Sequence, residues 1–152
     1  MKATPQGWPR ISSAIFYDDA AAAIPWLCKA FEFTVRLKIE GAGGRIEHSE
    51  LEYGDGLIMV GNSGGKSTRE KRLPGRSPKG IDGANTQSLC VMVDDADAHM
   101  AHARVSGATI VEEPTTIDYG AEHWCDRTYS ALDLEGHLWF FIQRVSTKGV
   151  PA

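Results

Sequence analysis

The segment RIEHSELEYG holds the side chains of this chain that are best placed for chemistry. His48, Glu50 and Glu52 alternate along it, so in a β-strand they would share one face. Ser49 and Leu51 would share the opposite, more apolar face, which should pack against a helix. We therefore expect His48 and Glu50 to line a ligand site. A polar face that is simply solvated is the alternative interpretation.

The segment WCDRTYSALDLEGHLWFF contains a second group of candidates. A turn at Glu135–Gly136 would pair Ala131 with Phe140. Arg127 and Tyr129 would then lie on the face of Phe140. An arginine that faces a ligand site is costly unless an anion pairs with it.

The sequence allows two alternative partners for the Arg127 guanidinium. One is a carboxylate or phosphate of the ligand, and the other is Glu50 or Glu52 of the protein itself. Trp139 should alternate away from Phe140 and pack against a helix. An aromatic wall could come from four side chains, Trp124, Tyr129, Trp139 and Phe140, with packing against the helix as the favoured interpretation for Trp139.

These candidates belong to a sequence that repeats itself. The stretch YDDAAAAIPWL has a weaker copy in VDDADAHMAHA, and Ser12 falls on Ser88 when the two are superimposed. In each copy an apolar strand segment is followed by an aspartate that can cap a helix, Asp19 in the first and Asp95 in the second. Three further strand segments follow each helix. The sequence is therefore predicted to contain two βαβββ modules.

The predicted fold is α+β, with the two modules in tandem. The first module should span residues 10–62 and the second residues 87–145, joined by a Gly-rich basic linker at 63–86, all within one domain. Each module has a helix on one face of its sheet only. We expect the two uncovered faces to form a curved mixed sheet around a central cup that holds a ligand.

Composition restricts the classes of function. The chain has 152 residues, 42% of them hydrophobic, and a net charge of −4. This charge argues against nucleic acid as a partner. Three scattered cysteines fit a reducing compartment, and no apolar stretch predicts a signal peptide or a membrane span. The expected location is the cytoplasm.

The stretch GNSGGKST resembles a phosphate-binding loop. Such a loop needs glycine where this chain has Val60, and no helix is predicted after it. The residues that follow are rich in Lys and Arg. A solvated linker is the favoured interpretation, and a lid over an anionic ligand is the alternative.

The duplicated pattern resembles the vicinal oxygen chelate superfamily, also called the glyoxalase, bleomycin-resistance and extradiol-dioxygenase fold. The resemblance rests on YDDAAAAIPWLCKAF, VDDADAHMAHARVSGATIVEEP and WCDRTYSALDLEGHLWFF, with Leu134 where the family usually has proline. The PhnB-like and glyoxalase-like proteins are the most similar branch. Many enzymes of the superfamily hold a divalent metal through His, Gln or Glu on the first and last strand of each module.

Carried onto this chain, the four metal positions are Ser12, Val60, Ser88 and Phe140. None offers imidazole, thiolate or carboxylate, so the expected metal and cofactor content is none. Whether Val60 faces the ligand side depends on the turn before it. A two-residue turn at Gly54–Asp55 would put Ser49 beside Val60, and an irregular turn would put His48 there.

Other histidines give weaker metal hypotheses. His99 and His102 lie one turn apart on the second predicted helix and are interpreted as a solvated surface. A cluster of His48 and Glu50 with His123 is the other possibility.

The resemblance implies a cytoplasmic homodimer that binds a small aromatic or anionic molecule in a metal-free cup, by sequestration and not by chemistry. A metal-dependent lyase, isomerase or dioxygenase of glyoxalase type is the first alternative. A non-catalytic regulatory or structural subunit is the second. The expected ligand-binding residues are the following: Ser12, His48, Glu50, Ser88, Trp124, Arg127, Tyr129 and Phe140.

Overall fold

A computed structural model describes residues 1–64 and 75–147 of the chain. The described chain divides at Gly83 and Ala84 into two compact units. Each unit contains one four-stranded sheet and one α-helix in the order βαβββ. This confirms the predicted α+β fold with two similar modules.

The elements of the first unit are β1 (Ser13–Tyr17), α1 (Ala20–Phe31), β2 (Thr34–Glu40), β3 (Ile46–Tyr53) and β4 (Gly56–Asn62). The sheet order is β1-β4-β3-β2, with β1 and β4 parallel and the other neighbours antiparallel. One short 3₁₀ turn lies between β2 and β3 (Ala42–Gly44), and another lies after β4 (Pro78–Ile81).

The elements of the second unit are β5 (Leu89–Met92), α2 (Ala96–Val105), β6 (Thr109–Asp118), β7 (Cys125–Leu132) and β8 (Leu138–Ser146). This unit repeats the topology of the first with the strand order β5-β8-β7-β6. The pair β5 and β8 is parallel, and the pairs β7–β8 and β6–β7 are antiparallel.

Both helices begin at the predicted aspartates. The Asp19 carboxylate accepts from the Ala22 N–H at 3.0 Å, and the Asp95 carboxylate accepts from the Ala98 N–H at 2.9 Å. Such N-caps stabilise a helix by about 0.5–2 kcal/mol, because they satisfy backbone donors that have no partner inside the helix.

Each helix covers one face of its own sheet. In the first unit the side chains with least exposure on that face include Ile15, Tyr17, Leu51 and Val60. In the second unit Trp139 and Phe141 stack on this face, with ring centroids 6.3 Å apart, and Phe141 contacts His99 of α2 at 4.4 Å. Trp139 therefore lies on the helix-packed face, away from Phe140, as predicted.

The first hairpin has the shorter of the two turns sketched from the sequence. Tyr53 pairs with Gly56 across a turn at Gly54–Asp55, and Gly54 has φ +56°. Glycine suits this conformation because it has no Cβ to clash. The register sets Ser49 beside Val60, where the Ser49 hydroxyl donates to the Val60 carbonyl at 2.6 Å.

The second hairpin contradicts the register expected from the sequence. Leu132 pairs with Leu138, so five residues (133–137) form the turn instead of the two at Glu135–Gly136. Ala131 therefore pairs with Trp139, and Phe140 pairs with Ser130. Because side chains alternate between faces, this shift of one residue moves every β7 side chain to the other face relative to β8.

The predicted linker lies partly outside the described residues. The phosphate-loop stretch is described only as far as Gly64, and the basic side chains proposed as a lid fall largely within 65–74, which are not described. At the two ends of this segment, the Gly64 N–H donates to the Gly75 carbonyl at 3.1 Å.

Candidate functional site

The helix-free face of the first sheet carries a charged cluster. The predicted placement of His48 and Glu50 on one face is correct, since His48 Nε2 lies 2.9 Å from Glu50 Oε1. Arg36 of β2 reaches the same carboxylate, with its Nε 3.4 Å from Glu50 Oε2. Glu52 lies 3.7 Å from the Arg36 Nε. Arg36 thus lies within ion-pair distance of two carboxylates of β3, those of Glu50 and Glu52.

An open cleft of about 440 Å³ lies beside this cluster. It is formed by the segment 4–9, the side chain of Glu52 and the turn at 54–56. None of the eight predicted ligand-binding residues lines it. The cleft therefore gives no support to those candidates.

The helix-free face of the second sheet is defined by its cross-strand pairs. Cys90, Phe140 and Ser130 lie side by side on three neighbouring strands. One step further, Ile142 lies between Met92 and Thr128. Apolar side chains dominate the two strands β5 and β8 on this face.

Arg144 ends this apolar strip. It follows Phe140 and Ile142 at alternate positions of β8 and pairs with Asp126 of β7. Its Nε donates to Asp126 Oδ1 at 2.5 Å, and its guanidinium lies 5.0 Å from the centre of the Trp124 ring. The predicted candidate Trp124 thus shares a cluster with a cation, an arrangement in which ring and charge attract each other.

Arg127 and Tyr129 are on the opposite face from Phe140, so their predicted placement is wrong. Arg127 forms a two-point ion pair with Asp97 of α2, whose Oδ1 lies 2.6 Å from Nη2, and also donates to Thr116 at 3.1 Å. Neither Glu50 nor a ligand is needed as its partner. The five-residue turn is the physical reason, because it shifts the register of β7 against β8.

The pairing with Arg127 has an electrostatic signature. The hydrogen bond from Arg127, followed by its charge, holds the pKa of the Asp97 carboxyl below its ordinary value. The same pair raises the pKa of the Arg127 guanidinium. Both shifts favour the charged forms, as expected for a mutually satisfied ion pair.

Tyr129 is buried against α2. Its hydroxyl lies 2.5 Å from His99 Nδ1, and its ring stacks on Phe141 at 4.9 Å. His99 is only 5% exposed, so the interpretation of His99 as solvated helix surface is wrong, whereas His102 is exposed. His123 lies in the loop before β7 and contacts the Trp124 ring.

The residues at the four metal positions do not fit a metal. Ser12 is half-buried and its hydroxyl has no hydrogen-bond partner among the described residues, and Ser88 is exposed. Val60 is on the helix-packed side, so the β4 side chains of the helix-free face flank it at positions 59 and 61, which are Met and Gly. Among the described residues no three His, Cys, Asp or Glu side chains are grouped to hold an ion.

Two arginines of these clusters, Arg36 and Arg144, are not among the residues predicted from the sequence. Arg144 could have been found, because it continues the alternation of Phe140 and Ile142 along β8. Arg36 could not, because a bulge between Val35 and Leu37 breaks the alternation of β2 at that point.

A protein-family model matches most of the chain. The model of the glyoxalase/bleomycin resistance protein/dioxygenase superfamily covers residues 10–141. The chain therefore belongs to this superfamily. An uncharacterized protein of Mycobacterium tuberculosis (strain H37Rv) is 29% identical over 142 residues, which cover 90% of this chain and 75% of that protein. A relative from Mycobacterium bovis shows the same identity, with 84% of its length covered.

Solved structures show the same fold. TioX from Micromonospora sp. ML1 is 28% identical, with a TM-score of 0.69, and the match covers 91% of this chain and all of that one (100%). TnmS3 of Streptomyces sp. CB03234, described as an antibiotic binding protein, has a TM-score of 0.60 at 16% identity, covering 88% of this chain and 93% of TnmS3. At that identity the likeness to TnmS3 is one of fold alone.

None of the helices within residues 1–64 and 75–147 has the length and apolar character needed to cross a membrane.

Proposed function

We propose that this protein binds a small, flat aromatic molecule with an anionic group on the helix-free face of its second sheet, without a metal. The proposal rests on the incomplete hydrogen bonding of the Arg144 guanidinium. Only its Nε has a hydrogen-bond partner among the described residues, although a guanidinium has five N–H donors in a fork that suits a carboxylate or phosphate.

The surroundings of Arg144 suit the aromatic part of such a molecule. Phe140 and Ile142 are half-buried and lie next to it along β8, and Met92 is exposed beside them. Trp124 holds the guanidinium from one side. A flat ring laid on this strip would bury apolar surface while its anionic group reaches the free N–H groups.

The superfamily and one neighbour support this class of function. TnmS3 is described as an antibiotic binding protein and shares the fold. The misfit of the four metal positions supports binding through organic contacts. A cytoplasmic homodimer is part of the same proposal, and light scattering of the purified protein tests the dimer.

The test is a binding screen on chelator-treated protein. Aromatic carboxylates are compared with their neutral amides by thermal shift, since a ligand at 100 times its Kd adds about 2.7 kcal/mol of stability. For a carboxylate that binds, Arg144→Gln should weaken binding by about tenfold or more, because a charge-assisted bond contributes about 1.5–3 kcal/mol. Phe140→Ala should weaken the acid and the amide alike.

Arg127→Gln is the matched control, because Arg127 is paired with Asp97 on the other face. It should leave binding unchanged. The proposal fails if the carboxylates bind no better than the amides, or if binding appears only after zinc, nickel or iron is added. The second result would favour the metal-dependent enzyme.

A further inference from the structure

Glu50 is a buried carboxylate in the first unit, only 6% exposed. A buried charge destabilises a fold by several kcal/mol unless it is paired and hydrogen-bonded. Here the two oxygens have different partners, His48 at Oε1 and Arg36 at Oε2. The carboxylate is thus held in one orientation between an imidazole and a guanidinium.

The Arg36 guanidinium also contacts the segment 6–8. It donates to the carbonyl of Gly7 and, at 3.4 Å, to that of Gln6, and its guanidinium lies 5.7 Å from the centre of the Trp8 ring. These contacts come from the segment that precedes β1. They fix Arg36 against Oε2 of Glu50, which leaves Oε1 for His48.

The contact with Glu50 determines the tautomer of His48. A carboxylate only accepts hydrogen bonds, so Nε2 of the ring is the donor. In the neutral ring Nδ1 then carries the lone pair. A carboxylate that orients a histidine in this way also stabilises the imidazolium formed when the ring takes up a proton, as in general-base catalysis.

Apolar residues occupy the cross-strand positions next to His48 and Glu50. Ile39 of β2 pairs directly with His48, and Leu37 pairs with Glu50. Both are large hydrophobic residues with exposed side chains. Met59 of β4 flanks Glu50 on its other side. The side chain of His48 is 37% exposed, so the ring is accessible to a molecule resting on these apolar neighbours.

We propose that His48, oriented by Glu50, is a general base that removes a proton from a small organic molecule lying against Leu37, Ile39 and Met59. The substrate class is a compact apolar molecule with a weakly acidic C–H or O–H group. The proton moves to Nδ1, and the bonding electron pair stays on the substrate or expels a leaving group. Water then takes the proton from Nδ1. This activity goes beyond the proposed binding function and uses a different unit of the chain.

The probe is 5-nitrobenzisoxazole, a flat molecule that reports a base directly. Removal of its ring C–H proton forms the nitrile as the N–O bond breaks, and the electron pair leaves on the phenolate oxygen, which is coloured. Wild-type protein should accelerate this elimination. His48→Gln should lower the protein-dependent rate by about 100-fold or more, since 100-fold is the low end of what a positioned base contributes.

Glu50→Gln tests the orienting role. Glutamine keeps the shape but removes the charge that stabilises the imidazolium, so the rate should fall while His48 remains. His102→Gln, which changes an exposed histidine on α2, is the control and should keep the wild-type rate. Thermal melts of all three variants separate loss of base from loss of fold.

Two further readouts separate a base from a merely structural histidine. The charged groups facing His48 are Glu50 and Glu52 on β3 and Arg36 on β2, while β4 presents uncharged side chains. If His48 is the base, the dependence of the protein-catalysed rate on pH should disappear in His48→Gln. Nitrogen NMR should show Nε2 protonated in the neutral ring.

The proposal is overturned if His48→Gln reacts as fast as wild type, or if NMR finds the proton on Nδ1. It is also overturned if the folded wild-type protein gives no acceleration. Binding of aromatic acids by the His48→Gln variant should be unchanged, so this result leaves the proposed function intact, and failure of the Arg144 test leaves the base intact.

Discussion

The two halves of the chain differ most in the hairpins that close their sheets. In the first half, Tyr53 pairs with Gly56 and only two residues turn the chain. In the second half, Leu132 pairs with Leu138 and residues 133–137 form the turn. The first turn depends on a glycine with positive φ, whereas the second is organised by a carboxylate.

This difference decides which side chains lie on the helix-free face of each sheet. Position 133 carries a buried aspartate whose oxygens accept from the N–H groups of Glu135 and His137 and from the Trp139 indole. The longer turn that it stabilises sets Ser130, not Ala131, beside Phe140. The two halves have the same order of elements, but the lengths of their hairpin turns determine which side chains lie on the helix-free face.

The largest expected effect comes from breaking the second hairpin. Asp133→Ala removes three accepted hydrogen bonds at once and leaves buried donors without a partner. The free energy of unfolding should fall by about 3 kcal/mol, measured by urea denaturation.

Asp55→Ala in the first hairpin is the matched control. Asp55 is exposed in a turn that glycine determines, so its replacement should cost no more than about 0.5 kcal/mol. Equal losses in the two variants would contradict the claim that the hairpins are built differently.

The sequence was sufficient for the elements but not for the register. Period-2 alternation predicted the strands, and Asp19 and Asp95 predicted both helix starts, because these signals are local. The register across residues 133–137 depends on a carboxylate that folds back on its own turn. Nothing in the alternation reports that geometry, so Arg127 and Tyr129 were assigned to the wrong face.

A second prediction concerns the helix-free face of the first sheet. A Cβ on Gly75 would lie 2.3 Å from Cγ of the Phe16 ring, so the backbone of Gly75 covers that ring closely. Gly75→Ala should cost about 1–3 kcal/mol in urea denaturation, since overpacking forces the backbone or the ring to move.

Two further variants identify the cause. Gly80→Ala adds the same methyl group where no atom lies within 4 Å, and should change stability by less than about 0.5 kcal/mol. Phe16→Leu should recover part of the loss in the Gly75→Ala background. An additive double variant would show that the two residues do not touch.

A third prediction tests the corrected position of Tyr129. Tyr129→Phe removes the hydroxyl that lies 2.5 Å from His99 Nδ1 and should cost about 1–2 kcal/mol, because a buried polar group loses its partner. Tyr119→Phe, at an exposed position, should be nearly neutral. A weaker binding of aromatic acids by Tyr129→Phe, with stability unchanged, would return Tyr129 to the ligand face.

The smallest expected effect concerns Arg127 on the same helix-packed side. The pKa of Asp97 is depressed in the folded chain because Arg127 donates to it, so the pair stabilises the fold above the ordinary carboxyl pKa of about 3.8. That contribution is lost as the pH falls below this value and Asp97 becomes protonated.

In Arg127→Gln, carbon NMR should show the pKa of Asp97 moving upward, while the affinity for aromatic acids stays constant. Arg104 lies on α2, as Asp97 does, but it is paired with Glu113. Arg104→Gln should therefore leave the pKa of Asp97 unchanged. An unchanged Asp97 titration in Arg127→Gln would mean that the five-residue turn does not direct β7 as described, and that Arg127 is available to a ligand after all.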